Sequence, residues 1–182
     1  AAVGVTYLLI IAVNRLLRTK GYFQGGRAEP NLLQFLDMVA LGTVCDVVPL
    51  KGLNRVFVRQ GLKVMAQRRN IGLTALMDVA GLDARPDAYH LGFLLGPRIN
   101  AGGRVGESDS GTRLLTLNDA GQATDLAKHL DFLNKERQAI ETAVLDAAII
   151  QVGDPGEAPI IVVHDEGWHP GVVGIVASRL KD

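Results

Sequence analysis

Four groups of residues have types and spacings that could do chemistry. Asp46 lies in Val44-Cys45-Asp46-Val47-Val48, a carboxylate among apolar neighbours. Its charge there needs compensation, either by a divalent metal or, if it simply ends a helix, by backbone or arginine donors. Gly96-Pro97-Arg98-Ile99-Asn100-Ala101-Gly102-Gly103-Arg104 joins glycines that allow close backbone approach to two arginines with an Asn between them, planar forks and an amide suited to phosphate oxygens. It reads as an anion-binding loop, or as a surface turn with incidental arginines, and it lacks the Gly-Lys-Ser/Thr of a Walker loop. Trp168-His169-Pro170-Gly171 places Pro at a first helical position, where the following amides favour an anion with His169 as an adjacent donor. Trp168 either stacks a base or fills a buried corner. Arg55, Arg59 and Lys63 recur every fourth residue, a basic stripe suited to a phosphodiester backbone or a solvated helix face.

The elements that must position these residues are mostly helical. Ala1 to Val13 is almost wholly apolar, shorter than the ~20 residues a bilayer demands, and reads as a buried helix. Pro30-Asn31 opens a second helix with Leu33, Leu36 and Val39 or Ala40 on one face, ending near Gly42-Thr43 so that Asp46 falls in a turn. A helix from about Leu53 to Arg68 carries the basic stripe opposite Val56, Leu62 and Met65. Another runs from Leu73 to Ala80, and one from about Asp87 to Leu95 stops at Gly96-Pro97. Asn118-Asp119 caps a helix of ~30 residues, ~45 Å long, with Leu126, Leu130, Leu133, Ile140, Val144 and Ala147 on a stripe broken by Arg137. Gly153-Asp154-Pro155-Gly156 ends it, Pro159 to His164 reads as a buried strand, and a new domain is expected from about 157. His90, His129 and His164 show no metal-ligand spacing and read as structural. The chain starts in helical pattern without Met and ends in one at Lys181-Asp182, so it reads as a piece of a longer protein.

Composition sets the class. With 182 residues, 48% hydrophobic and 21% charged, the chain is globular, which excludes disordered, collagenous and disulfide-stapled proteins. One cysteine, Cys45, excludes an intramolecular disulfide or a Cys-based zinc cage and fits a reducing compartment, the cytoplasm, with no membrane partner expected. The net charge of zero hides ten Lys/Arg against three Asp/Glu up to residue 77 and nine against sixteen beyond it.

Together the blocks Leu41-Gly42-Thr43-Val44-Cys45-Asp46-Val47-Val48-Pro49-Leu50, Asn54-Arg55, Gly96 to Arg104 and Trp168 to Arg179 resemble, in order and spacing, the RecJ family of single-strand-specific DNA exonucleases within the DHH phosphoesterases. The resemblance covers essentially the whole chain. It implies an α/β architecture: residues 1–117 the C-terminal part of a DHH domain, 118–152 a connecting helix, and 157–182 the beginning of an α/β DHHA1 domain. It implies a 5′-to-3′ exonuclease of DNA repair and recombination with two Mn²⁺ or Mg²⁺ ions, single-stranded DNA as partner, Asp46 as a metal ligand, and Arg98, Asn100, Arg104 and His169 at substrate phosphates, with Arg98 also catalytic. Arg55, Arg59 and Lys63 would then guide the strand. The family's Asp-x-Asp, Asp-His-His and Gly-Gly-His motifs are absent from these residues, so the piece alone is expected to be inert. The competing readings are a non-catalytic single-strand-binding or replication adaptor, and a DHH phosphodiesterase acting on short oligonucleotides or cyclic dinucleotides.

Overall fold

The computed structural model describes every residue except Pro155, Glu157, Ala158 and Asp182. The described residues form helices α1 (Ala2–Thr19), α2 (Leu36–Cys45), α3 (Gly52–Met65), α4 (Ile71–Val79), α5 (Gly96–Val105), α6 (Ser110–Thr116), α7 (Ala120–Val152) and α8 (Pro170–Lys181). A 3₁₀ turn, Leu32–Phe35, leads into α2, and a π-helical turn, His90–Leu95, leads into α5. Two compact units result, Ala1–Gly96 and Pro97–Asp182.

The first unit is organised by α2 against α3. Gly61 lies so close to α2 that a Cβ there would sit 2.0 Å from the Leu36 carbonyl oxygen and 2.5 Å from Ala40 Cβ, so only glycine permits this crossing. Leu36, Val39, Phe57 and Tyr7 fill the cluster that results. The buried side of α3 is Phe57, Val58, Gly61 and Met65; of the apolar residues expected there, Met65 is buried but Val56 is 52% exposed.

α1 forms as expected but is not buried. Tyr7 meets Phe57 edge-on at 5.5 Å and donates to the Leu32 carbonyl at 3.2 Å, and Asn14 and Arg18 bond Glu29. The opposite side, including Val5 and Leu9, stays exposed, because only one face of an isolated helix meets the α2–α3 pair. Its 18 residues are long and apolar enough to cross a membrane by length and composition alone. Leu33, expected inside, is 64% exposed, because Asn31 captures the Leu33 amide at 3.2 Å and starts a tighter 3₁₀ turn that rotates the face.

The expected stop at Gly96-Pro97 does not occur. The Gly96 amide reaches the Leu91 carbonyl five residues back, and this wider turn spares Pro97 the carbonyl clash of a regular α-turn, so the chain continues directly into α5. The region from Gly96 to Arg104 is therefore helix, not loop.

In the second unit α7 runs 33 residues from an Asp119 cap, whose carboxylate accepts the Gln122 amide at 2.7 Å. Val144 and Ala148 of α7 pack on Val172 and Val176 of α8, with Trp168 and Val163 alongside. Pro170 opens α8 as expected. The strand expected over Pro159 to His164 is absent: among the described residues no strand forms, and 160–164 has no neighbouring backbone ladder to pair with. The domain start expected at 157, and Pro155 of the helix stop, lie outside the described residues.

Two substitutions test this account by urea unfolding. Gly61→Ala should lower stability by roughly 1–3 kcal/mol, as overpacking does. Val47, a β-branched residue held at φ 54°, should on replacement by Gly raise stability by roughly 0.5–1 kcal/mol, relief of left-handed strain less the entropy cost of glycine.

Candidate functional site

Asp46 is placed by the end of α2. The helix closes with the Val47 amide on the Val44 carbonyl at 2.9 Å and the Val48 amide on the Thr43 carbonyl at 3.3 Å, the two bonds of a Schellman turn, with Val47 in the left-handed position usually given to glycine. This turn aims Asp46 outward: contrary to the apolar setting expected, it is exposed. A carboxylate at a helix C-terminus opposes the helix dipole, and the adjacent Val47 is strained, so this corner costs stability. Among the described residues no donor is bonded to the Asp46 carboxylate, and no three His, Cys, Asp or Glu side chains converge on a metal-sized site. One exposed carboxylate fits as a single donor to a metal; it does not fit as a complete dinuclear centre.

Cys45 beside it faces inward. Its thiol donates to the Leu91 carbonyl at 3.6 Å, and burial, reinforced by the Asp46 charge, pushes its pKa up to about 11, so it packs as a neutral group. Gly96 accommodates it, since a Cβ there would lie 2.6 Å from the Cys45 sulfur. Sequence reasoning missed Asp37, a buried carboxyl near the start of α2 whose pKa burial raises despite the bond it accepts from the Met38 amide. An acidic residue inside the apolar run of α2 was its signal.

The basic stripe is where the spacing puts it. Arg55, Arg59 and Lys63 are all exposed along α3, and among the described residues none has a carboxylate within ion-pair distance. Arg68, by contrast, is spent on Asp78 and on the Leu82 carbonyl.

In the second unit, Arg98 donates from Nε to Asp131 at 2.8 Å, and Lys135 reaches the other carboxylate oxygen at 2.8 Å. Burial opposes the Asp131 charge, but the Lys135 hydrogen bond and the Arg98 charge and hydrogen bond outweigh it and hold the carboxyl below the ordinary range. Arg98 is thus fixed in a plane by a largely buried partner. Asn100 is exposed. Arg104 and His169, far apart in sequence, meet around Gly171: the Arg104 guanidinium donates to the Gly171 carbonyl at 2.9 Å, and His169 Nδ1 accepts the Gly171 amide at 3.0 Å. A Cβ on Gly171 would sit 2.2 Å from the Arg104 carbonyl oxygen, so this junction also requires glycine.

The expected open amides at the start of α8 are instead used: Gly171 is capped by His169, and the Val172 amide bonds the His169 carbonyl at 3.1 Å. With Nδ1 accepting, the His169 proton resides on Nε2, which leaves an N–H to donate. Trp168 lies against the α7–α8 cluster and serves as packing.

A second buried carboxylate of α7, Glu141, is paired with Arg137 and, at 2.6 Å, with Arg179 of α8. These polar members explain why Arg137 interrupts the apolar periodicity.

No protein-family profile matches the chain. The whole chain is 44% identical to the single-stranded-DNA-specific exonuclease RecJ of Dickeya dadantii and 42% identical to that of Escherichia coli, spanning 33% of each relative. The chain thus spans about a third of the curated relatives it matches. Among solved structures, the crystal structure of exonuclease RecJ bound to manganese superposes with a TM-score of 0.82 at 40% identity, covering 97% of this chain and 42% of that one. RecJ in complex with Mg²⁺ from Thermus thermophilus gives 0.76 at 40% identity, covering 85% and 24%.

The Asp131 geometry has a pH consequence. Its folded pKa is depressed, so the stability it adds is present above the unfolded value, near 3.9, and is lost as pH falls through the lower folded value. Asp131→Asn should therefore be less stable than the parent at pH 7, and the gap should close on acidification below pH about 4 in thermal melts.

Proposed function

The chain is a segment of a RecJ-family protein, and from that premise we propose that it forms part of a metal-dependent exonuclease specific for single-stranded DNA, supplying one metal-ligating carboxylate and several phosphate-facing donors. The observation that carries this is Asp46, an exposed carboxylate held at a strained helix end where it costs stability, within a chain 40–44% identical over its whole length to four RecJ exonucleases. Removal of nucleotides from a 5′ end, a role in repair and recombination, a cytoplasmic setting, and the division into DHH, connecting-helix and DHHA1 portions belong to this reading. So do Mn²⁺ or Mg²⁺ as the ions.

The chain's own residues act as follows. Asp46 offers an anionic oxygen to one ion, which when bound in such enzymes activates water and neutralises phosphate charge. Arg98 is braced by Asp131, so its planar fork is oriented in advance, which favours a phosphate over a mobile cation. Arg104 and His169 are both anchored on Gly171 and carry further N–H groups that can serve as donors, and Asn100 adds an exposed amide. Because these residues do not complete a metal centre, no reaction step is assigned to the segment alone.

In a full-length protein carrying this segment, Asp46→Asn should abolish nuclease activity while leaving the melting temperature unchanged or higher, because an amide lacks the anionic charge and relieves the helix end. Activity within about threefold of the parent would overturn the assignment. The 182-residue chain itself should bind Mn²⁺ only weakly by calorimetry and leave single-stranded DNA uncut.

A further inference from the structure

A groove of about 430 Å³ lies in the first unit between α3 and the segment before the π-helical turn, lined by Arg59, Leu62, Lys63, Arg85, Pro86 and Asp87. Three cations rim it. Its one carboxylate caps the turn that follows: Asp87 Oδ1 accepts the His90 amide at 3.0 Å, and His90 Nδ1 accepts the Asp87 amide at 3.2 Å. That capped turn carries Tyr89 and Phe93 four residues apart. Their rings stack at 5.0 Å with planes 29° apart, while the side chains remain 66% and 72% exposed. Two large aromatics stacked on each other yet open to water bury little for their size, so packing within the unit does not account for them. Arg55, Arg59 and Lys63 rise about 6 Å per step along the helix, a spacing on the order of one nucleotide of an extended strand.

We propose that this face is a strand-holding site, separate from Asp46, where phosphates of single-stranded DNA lie along Arg59, Lys63 and Arg85 and bases stack on Tyr89 and Phe93. It rests on the reading of the chain as part of a single-strand exonuclease, and adds that binding here is independent of metal and uses base stacking as well as charge. Cations that track the backbone beside aromatic rings that take any base give sequence-tolerant affinity for single strands, and bases paired in a duplex are not available to the rings. The rings and cations act on strand retention and not on bond cleavage.

The test is fluorescence anisotropy of a labelled oligothymidylate with the 182-residue chain in EDTA at low salt. The thymidylate strand should bind at least about fivefold more tightly than an abasic sugar-phosphate strand of equal length, and Tyr89→Leu should remove most of that preference. Lys63→Ala with Arg85→Ala should weaken both strands alike and flatten the salt dependence. Tyr89→Trp should keep the preference and show fluorescence quenching on strand addition, a readout that a merely structural role for the ring would not give. Equal binding of the two strands, an unchanged preference in Tyr89→Leu, or no quenching overturns the proposal. Because metal is absent throughout, that failure is distinguishable from failure of the exonuclease reading, which the Asp46→Asn assay decides.

Discussion

The contact between Gly61 and the Leu36 carbonyl is the constraint on which the first unit depends. A helix crossing this close leaves no room for any side chain at residue 61, and it fixes what each helix can show to water. Once α3 turns Gly61 and Met65 inward, Arg55, Arg59 and Lys63 must face out. α2 presents Leu36, Val39 and Ala40 to α3, and the left-handed turn at Val47 that closes α2 brings Asp46 to the surface. The basic stripe is thus a result of that backbone approach, and the exposure of Asp46 a result of the turn that ends α2.

The second unit solves a different problem, that of holding a long helix with polar residues on its buried face. Asp131 and Glu141 would each be costly if left alone inside. Each is met by two cations, Lys135 and Arg98 for the first, Arg137 and Arg179 for the second. Such pairs add less net stability than apolar packing of the same volume, but they fix register, because a slip of one residue along α7 would leave charges buried without partners. The same interactions hold Arg98 in a defined orientation and bring α8 onto α7. Gly171 completes the arrangement by letting Arg104 and His169 bond the same residue.

What the residues alone determined was six of the helices, α1 to α4, α7 and α8, and the line of basic residues on α3. The Asp119 cap, the period of α7, Pro170 at the start of α8 and the four-residue recurrence of Arg55, Arg59 and Lys63 are local signals, fixed by backbone hydrogen bonding and helix geometry within a few residues. Long-range packing decided the rest. No local pattern reveals that Val47 takes a left-handed conformation and turns Asp46 out of its apolar surroundings, that a π-turn carries the chain through Gly96-Pro97 without a break, or that Pro159 to His164 lacks a strand to pair with. Nor does spacing show that Arg98 is held by Asp131, that Arg104 and His169 share Gly171, or that Tyr89 and Phe93 stack in the open. Each depends on groups distant in sequence or on the balance between a strained torsion and the contacts that enforce it, and only the folded chain brings those terms together.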